Sequence, residues 1–389
     1  MRKKYALVVA AFSAIVSAPI VMAQDAYVVG LSGALTGPQA GTYAPIMESV
    51  KLYVDQLNKR GGVNGKPIRL VVQDNQGEPS KAAADAKKLI SQDNAILMIS
   101  ASVSSTYAPM AAEAKRGGIP LVYTMVCPTA VFPPKPDDLQ FCSGPSSGNH
   151  DGPMGVQFIK EQSRDPVRLG LVAMAIPLSR GVADSAEEAA KSIGMTVVDK
   201  QIIPPPTPDY TPHASKLKSA EPNWVYAVAP WVTEVKTLEA LRKLGWNGKY
   251  LAIALAPTED DMFRLKDGEL YAVSANAFFH DDLPVHKEIR DAAGKANLAY
   301  PVTHLADGWI AGMVLEQALK NTSWPPTAEK VLAAMNDLRV DTKGLRGKPI
   351  EWTKTNHFRT EQYYRFYRWD SAKQSIVPAK ENWATVDIK

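Results

Sequence analysis

The chain has 389 residues, 46% of them hydrophobic and 22% charged, with a formal net charge of +4 at pH 7. So even a balance excludes the concentrated basic face that a nucleic acid or an anionic membrane surface selects. The length is more than one hydrophobic core usually serves, so two domains are expected.

The chain opens with the basic Arg2, Lys3 and Lys4. An apolar run from Tyr5 to Val16 follows, and then the small-residue stretch Val21-Met22-Ala23. This reads as an export signal cleaved after about Ala23, which places the mature protein in the periplasm. A retained membrane helix is the competing reading, but Ser13, Ser17 and Pro19 interrupt the run short of the ~20 apolar residues a bilayer requires. Losing the three signal cations takes the net charge to about +1. In an oxidising compartment Cys127 and Cys142 are expected to form one bridge, with free thiols the alternative. Two cysteines with no histidine between them make a poor metal site.

From Val28 onward short apolar runs alternate with helical patterns, as in repeated βαβ units. Strand Val28 to Leu31 leads to an amphipathic helix carrying Ile46, Val50, Tyr53, Val54 and Leu57, which Gly61-Gly62 stops. Strand Ile68 to Val72, a helix opened by Ser80, strand Ile96 to Ile99, a helix around Met110 to Lys115 and strand Pro120 to Tyr123 complete a first lobe. After a proline-rich stretch the alternation restarts with strand Arg168 to Ala173, helix Arg180 to Ile193 and strand Thr196 to Ile203. Strand Trp224 to Val228, a helix from Val232 to Leu244, and strands Tyr250 to Ala254 and Leu270 to Ser274 extend this second lobe. Helical patterns around Pro284 to Ala296, His304 to Asn321 and Thr327 to Asp337 follow, and part of them is expected to return to cover the first lobe. Lys348 to Trp352 and Tyr363 to Trp369 alternate as edge strands do. The fold class is therefore α/β, with two doubly wound lobes: 24–145 with about 277–345, and 146–276 with about 346–389.

Gly144-Pro145-Ser146-Ser147-Gly148, followed by His150 and Asp151, spells a nucleophile elbow. Pro145 and Pro153 disrupt the strand–turn–helix that the elbow needs, and adjacent residues of one loop cannot arrange themselves as a triad. A hinge between lobes is the better reading, and a serine hydrolase using Ser146 the rival. No HExxH, GxxxxGK[ST] or Cys/His cluster occurs, so neither a metal nor a cofactor is expected. The pairs Asp260-Asp261 and Asp281-Asp282 read as solvated surface or helix caps. Three loops lie just past the carboxyl ends of strands, where open α/β sheets collect ligands: 35–43, 100–105 and 123–127. In the second, Ser102, Ser104 and Ser105 put hydroxyls and backbone N–H groups at a helix start, an arrangement that suits a carboxylate.

Several stretches carry a resemblance: Val29-Gly30-Leu31-Ser32-Gly33-Ala34-Leu35-Thr36-Gly37-Pro38, Asn58 to Ile68 with its Gly-Gly-Val-Asn-Gly turn, Asp74-Asn75-Gln76, and Gly117-Gly118-Ile119-Pro120. Ala306-Asp307-Gly308-Trp309 adds to them. The chain resembles the leucine/isoleucine/valine-binding solute receptors of ABC transporters. The resemblance implies two lobes joined by three crossings, no catalysis, a small-molecule ligand sealed between the lobes, and a permease partner in the inner membrane. A monomer is expected. A ligand-sensing receptor on the same fold is the other alternative. By position, the resemblance gives Ser104 the ligand carboxylate, Met125, Val126 and Cys127 a main-chain donor segment, and Tyr43 the aromatic floor. Where the family often has tyrosine before a glycine, this chain has Arg180. Where an acid commonly meets the ligand ammonium it has Thr258, with Glu259 one step on. These departures point to a carboxylate without an α-amino group, with Tyr123 and Trp231 as candidate faces for a ring.

Overall fold

The computed structural model describes residues 26–255 and 257–388, and the expected export segment lies outside them. In chain order the first lobe contributes β1 (Tyr27–Gly33), α1 (Ala40–Lys59), β2 (Ile68–Asp74), α2 (Pro79–Ser91), β3 (Leu97–Ala101), α3 (Tyr107–Gly117) and β4 (Leu121–Tyr123). Next come β5 (Val126–Cys127), β6 (Gln140–Cys142) and β7 (Ser146–Ser147). Strands β2-β1-β3-β4-β6 form one parallel sheet. Alternate residues feed opposite faces, as the two-residue strand period dictates. Val29, Leu31, Leu97 and Ile99 pack toward α1, while Val28, Met98 and Leu121 pack toward α2 and α3. The Gly-Gly-Val-Asn-Gly turn after α1 has a physical reason: φ is +73° at Gly62 and +75° at Gly65. A Cβ on Gly62 would sit 2.1 Å from the Lys66 carbonyl oxygen.

The second lobe runs α4 (Asp151–Glu161), β8 (Arg168–Met174), α5 (Pro177–Ser192), β9 (Thr196–Ile203), α6 (Thr211–Ser219), β10 (Trp224–Val228) and α7 (Trp231–Lys243). It continues with β11 (Lys249–Ile253), α8 (Thr258–Leu265) and β12 (Leu270–Ser274). Then follow α9 (Pro284–Lys295), α10 (Ala306–Lys320), α11 (Ala328–Met335), β13 (Asp337–Val340), β14 (Ile350–Thr353), β15 (Glu361–Asp370), β16 (Ser375–Pro378) and β17 (Ala384–Asp387). The second sheet has the order β16-β15-β12-β11-β10-β8-β9, parallel from β12 to β9 and antiparallel where β15 joins, with β17 also on β15.

Helix α10 lies along α1. Contact is close because Gly308 and Gly312 carry no side chain: a Cβ on them would stand 2.2 Å from the Ile46 carbonyl oxygen and 2.3 Å from the Tyr53 ring. The Ser49 hydroxyl donates to the Leu305 carbonyl at 2.6 Å, and Tyr53 and Trp309 meet edge to face.

Two expectations change. Tyr363 to Trp369 is no edge strand, because β15 lies between β12 and β16 and also pairs with β17. Lys348 to Trp352 belongs to neither main sheet, since β14 pairs with β13 alone. Residues 350–358 also stay beside the first sheet, past the boundary expected near 346. Trp352 and His357 pack on Phe141, and the Cys142 amide donates to the His357 carbonyl at 3.1 Å.

The chain passes between the sheets after β6, after β12 and between β14 and β15, and buried side chains tie these passages together. Arg346 donates to the Ser143 carbonyl at 2.9 Å and to Asp307 at 3.4 Å. Arg359 donates to the carbonyls of Gly144 and Pro145 at 3.0 and 3.3 Å. Asn276 donates to Asp307 at 2.7 Å, and the Ala277 amide to the Leu345 carbonyl at 2.9 Å.

Candidate functional site

Both sheets turn their carboxyl ends toward a narrow cavity between the lobes. From the first lobe come Tyr43 on α1, Ser104 past β3, Tyr107 on α3, Val126 past β4, and Ser146 on β7. The second lobe supplies Asp151, Ile176, Leu178, Ser179 and Val182, then Val228, Ala229 and Pro230 past β10, and Ile253 and Leu255 past β11. Most of this wall is apolar. The Ser104 hydroxyl accepts the Leu178 amide at 3.2 Å, a hydrogen bond from one lobe to the other. Its own O–H remains to donate.

The second-lobe wall is held from behind. Ser179 accepts the Met174 amide at 2.8 Å and donates to the Val228 carbonyl. Glu234, fully buried, accepts the amides of Ala229 and Ile253 at 3.1 and 3.3 Å, so one carboxyl ties the tips of β10 and β11. Burial holds its pKa well above the usual carboxylate range.

Of the residues expected at the site, Tyr43, Ser104 and Val126 line the cavity. The others stand elsewhere. Ser102 donates to Asn75 at 2.9 Å, part of a buried chain running on to Ser32 and Asp85. Ser105 is half-buried and outside the wall. Tyr123 donates to Gln140 at 2.7 Å and packs behind Tyr107, and Met125 offers its carbonyl to the Ser146 amide. Arg180 is exposed, because α5 begins at Pro177 rather than at Arg180, and a proline suits the first helical turn. The wall is made by Ile176, Leu178 and Ser179 instead. Trp231 is buried with its indole N–H on Asp261 at 2.6 Å. Thr258 accepts the Leu255 amide at 2.9 Å at the head of α8. Glu259 is occupied by the amides of Phe279 and His280 at 2.8 Å each. Cys127 and Cys142 are bridged, which fixes the segment beside Val126 and leaves no thiol to donate.

The elbow spelling comes apart in space. Ser147, not Ser146, bonds His150, at 2.6 Å. Asp151 does not touch that histidine: its Oδ1 accepts the Tyr364 hydroxyl at 2.7 Å. The remaining aspartate pairs are likewise spoken for, Asp260 by Thr303 and His304, Asp281 by Arg365 and Tyr367.

Sequence reading noted Asp151 only within the rejected elbow spelling, and it missed Tyr107 and most of the second-lobe wall. Asp151 is 3% exposed, and burial pushes its pKa up to about 7. Ser146 and the Ser147 amide stand close enough to lower that value somewhat, yet neither is in hydrogen-bonding geometry with Oδ2, which has no partner.

Known proteins place this architecture. A Leu/Ile/Val-binding protein of Rhizobium johnstonii is 23% identical over 358 residues, covering 90% of this chain and 93% of that one. Among solved structures, a branched-chain amino acid ABC transporter protein from Thermus thermophilus with bound valine superposes with a TM-score of 0.80 at 18% identity, covering 92% of this chain and 97% of that one. A solute-binding protein of an ABC transporter from R. palustris in complex with 4-hydroxybenzoate gives 0.77 at 14% identity, covering 94% and 98%. The periplasmic binding protein model matches residues 26–374, and the chain belongs to that family.

Proposed function

We propose that this protein is the extracytoplasmic receptor of an ABC importer, which closes two lobes around a small carboxylate with an apolar body and presents it to an inner-membrane permease. The observation that carries this is the Ser104 hydroxyl. It is fixed from across the cleft by the Leu178 amide, beside an apolar cavity at the facing strand ends, with a proton left to donate. Carboxylates, amino acids among them, are what such a donor recognises. The names of the relatives, Leu/Ile/Val-binding proteins, and the valine and 4-hydroxybenzoate in the neighbouring structures support a small carboxylate as the solute.

The proposed receptor acts without catalysis, a reading supported by the fact that none of the cavity serines, Ser104, Ser146 and Ser179, is the serine that bonds His150. It works as a periplasmic monomer after cleavage near Ala23. Its lobes, among the described residues, are 26–145 with about 277–358, and 146–276 with about 359–388. The amine-free ligand inferred from Arg180 and Thr258 loses its ground, since neither side chain reaches the cavity.

A thermal-shift screen of the mature chain against apolar amino acids, aliphatic acids and aromatic acids tests this, because a ligand that prefers the folded state raises the melting temperature. Ser104→Ala should weaken the best carboxylate about tenfold or more, the loss of one hydrogen bond to a charged group. Binding that is indifferent to Ser104→Ala, or no response to any carboxylate, would end the proposal.

A further inference from the structure

A side-chain tie crosses between the lobes outside the solute cavity. Helix α8 belongs to the second lobe: it packs on β15 and β16, and its Thr258 hydroxyl accepts the Leu255 amide past β11. The short turn Val302–His304 belongs to the first, because the carbonyl of the next residue, Leu305, is bonded by Ser49 of α1 and α10 begins at once. Asp260 of α8 joins the two. Its Oδ1 accepts the Thr303 hydroxyl at 2.8 Å, and its Oδ2 lies 2.9 Å from His304 Nε2, off the line of a hydrogen bond. Burial raises the Asp260 pKa, but the contacts from His304 and Thr303 outweigh it and hold the carboxyl below its usual range, so it is ionised at neutral pH. Beside this tie is a second narrow cavity that shares Leu255 with the first. Glu259 lines it from the second lobe, and Thr303, His304 and Asp307 from the first. A swing that parts these walls must draw Asp260 away from Thr303.

We propose that Asp260 and Thr303, with His304 beside them, form a latch that holds a share of the receptor closed in the absence of solute, and so set affinity without touching the ligand. None of the three lines the solute cavity. An affinity that depends on a closed population scales with that population for every solute alike, so the latch is blind to solute chemistry. The Ser104–Leu178 bond also crosses between the lobes, but it lies in the cavity wall, where a solute competes for Ser104. The hold is modest. The Asp260 side chain is 41% exposed, so water screens its charge against His304, and the hydroxyl-to-carboxylate bond carries most of the effect.

Small-angle scattering of the mature chain without solute reads the latch directly. Thr303→Val keeps the bulk of the side chain and removes the donor, whereas Thr303→Ser keeps the donor. Thr303→Val and Asp260→Ala should each shift the protein to a larger radius of gyration, the double variant should go no further than either, and Thr303→Ser should match the wild type. Calorimetry with L-leucine and with 4-hydroxybenzoate gives a second reading: Thr303→Val should weaken whichever binds, and both by the same factor, about threefold. Should Asp260→Ala fail to fold, the near-isosteric Thr303→Val decides. A Thr303→Val curve that superimposes on the wild type, or a Thr303→Ser curve just as expanded, overturns the latch. Unequal factors for the two solutes would place Thr303 at the ligand and overturn it too. If the scattering shifts as described but neither probe binds, the latch stands and the carboxylate reading above is what fails.

Discussion

Replacing Gly308 with alanine sets helix propensity against packing at the seam between α1 and α10. In an open helix the change gains up to about 1 kcal/mol. At position 308 the new Cβ would stand 2.2 Å from the Ile46 carbonyl oxygen and 2.6 Å from Ser49 Cβ. The obstacle is backbone, so relief requires moving one helix away from the other by roughly an ångström, and overpacking of this kind costs about 1–3 kcal/mol. Taking the upper part of that range, Gly308→Ala should lose about 2 kcal/mol net. Gly181 supplies the control, because it lies inside α5 and a Cβ there meets nothing within 4 Å. Gly181→Ala should gain about 0.5–1 kcal/mol. Urea unfolding of both variants beside the wild type reads the two effects on one scale, with unchanged slopes showing that the folded states remain compact. If Gly308→Ala proves as stable as the wild type, the seam is not held at the distance described and the reasoning fails.

Reduction of the Cys127–Cys142 bridge, whose partners are 15 residues apart, should cost ~3 kcal/mol on the chain-entropy model. Equal urea midpoints with and without reductant would contradict it. Asp151 also predicts a pH dependence of stability in the absence of ligand. Its folded pKa of about 7 lies above the ordinary aspartate value of 3.8, so the folded state holds the proton longer, and stability present at low pH is lost as the pH rises toward and through 7. Between about pH 5 and 8 this should amount to roughly 2–3 kcal/mol. Glu259, also raised to about 7 by burial, adds a fall of the same sign, so Asp151→Asn should remove only part of the slope. Parallel wild-type and variant curves would refute this assignment.

Much of the fold was legible because βαβ units advertise themselves by the change of hydrophobic period, and α1 and α3 also by the glycines that end them. The alternation in Tyr363 to Trp369 was read as an edge, but alternation reports which face is buried, not how many neighbours pair. Ser104, Tyr43 and Val126 were legible as cavity-lining residues because the loops past strand ends in open sheets border the cleft. Arg180 was misjudged through the start of α5, where Pro177 was the available signal. Asp151 had none: its partner Tyr364 lies 213 residues away, and a carboxyl near a loop reads as surface until the second sheet is folded over it.

The cross-ties at the lobe junction have a mechanical consequence. The outer two passages are stitched through Arg346 and Arg359 to the carbonyls of residues 143–145, and the middle one through Asn276 and Ala277 to Asp307 and Leu345. A spine sewn in this manner resists shear, because sliding the first thread breaks the arginine bonds to its carbonyls and sliding the middle one breaks the Asn276–Asp307 bond. It still permits the covers to swing, and such a rotation spends its torsion where each thread leaves the stitching.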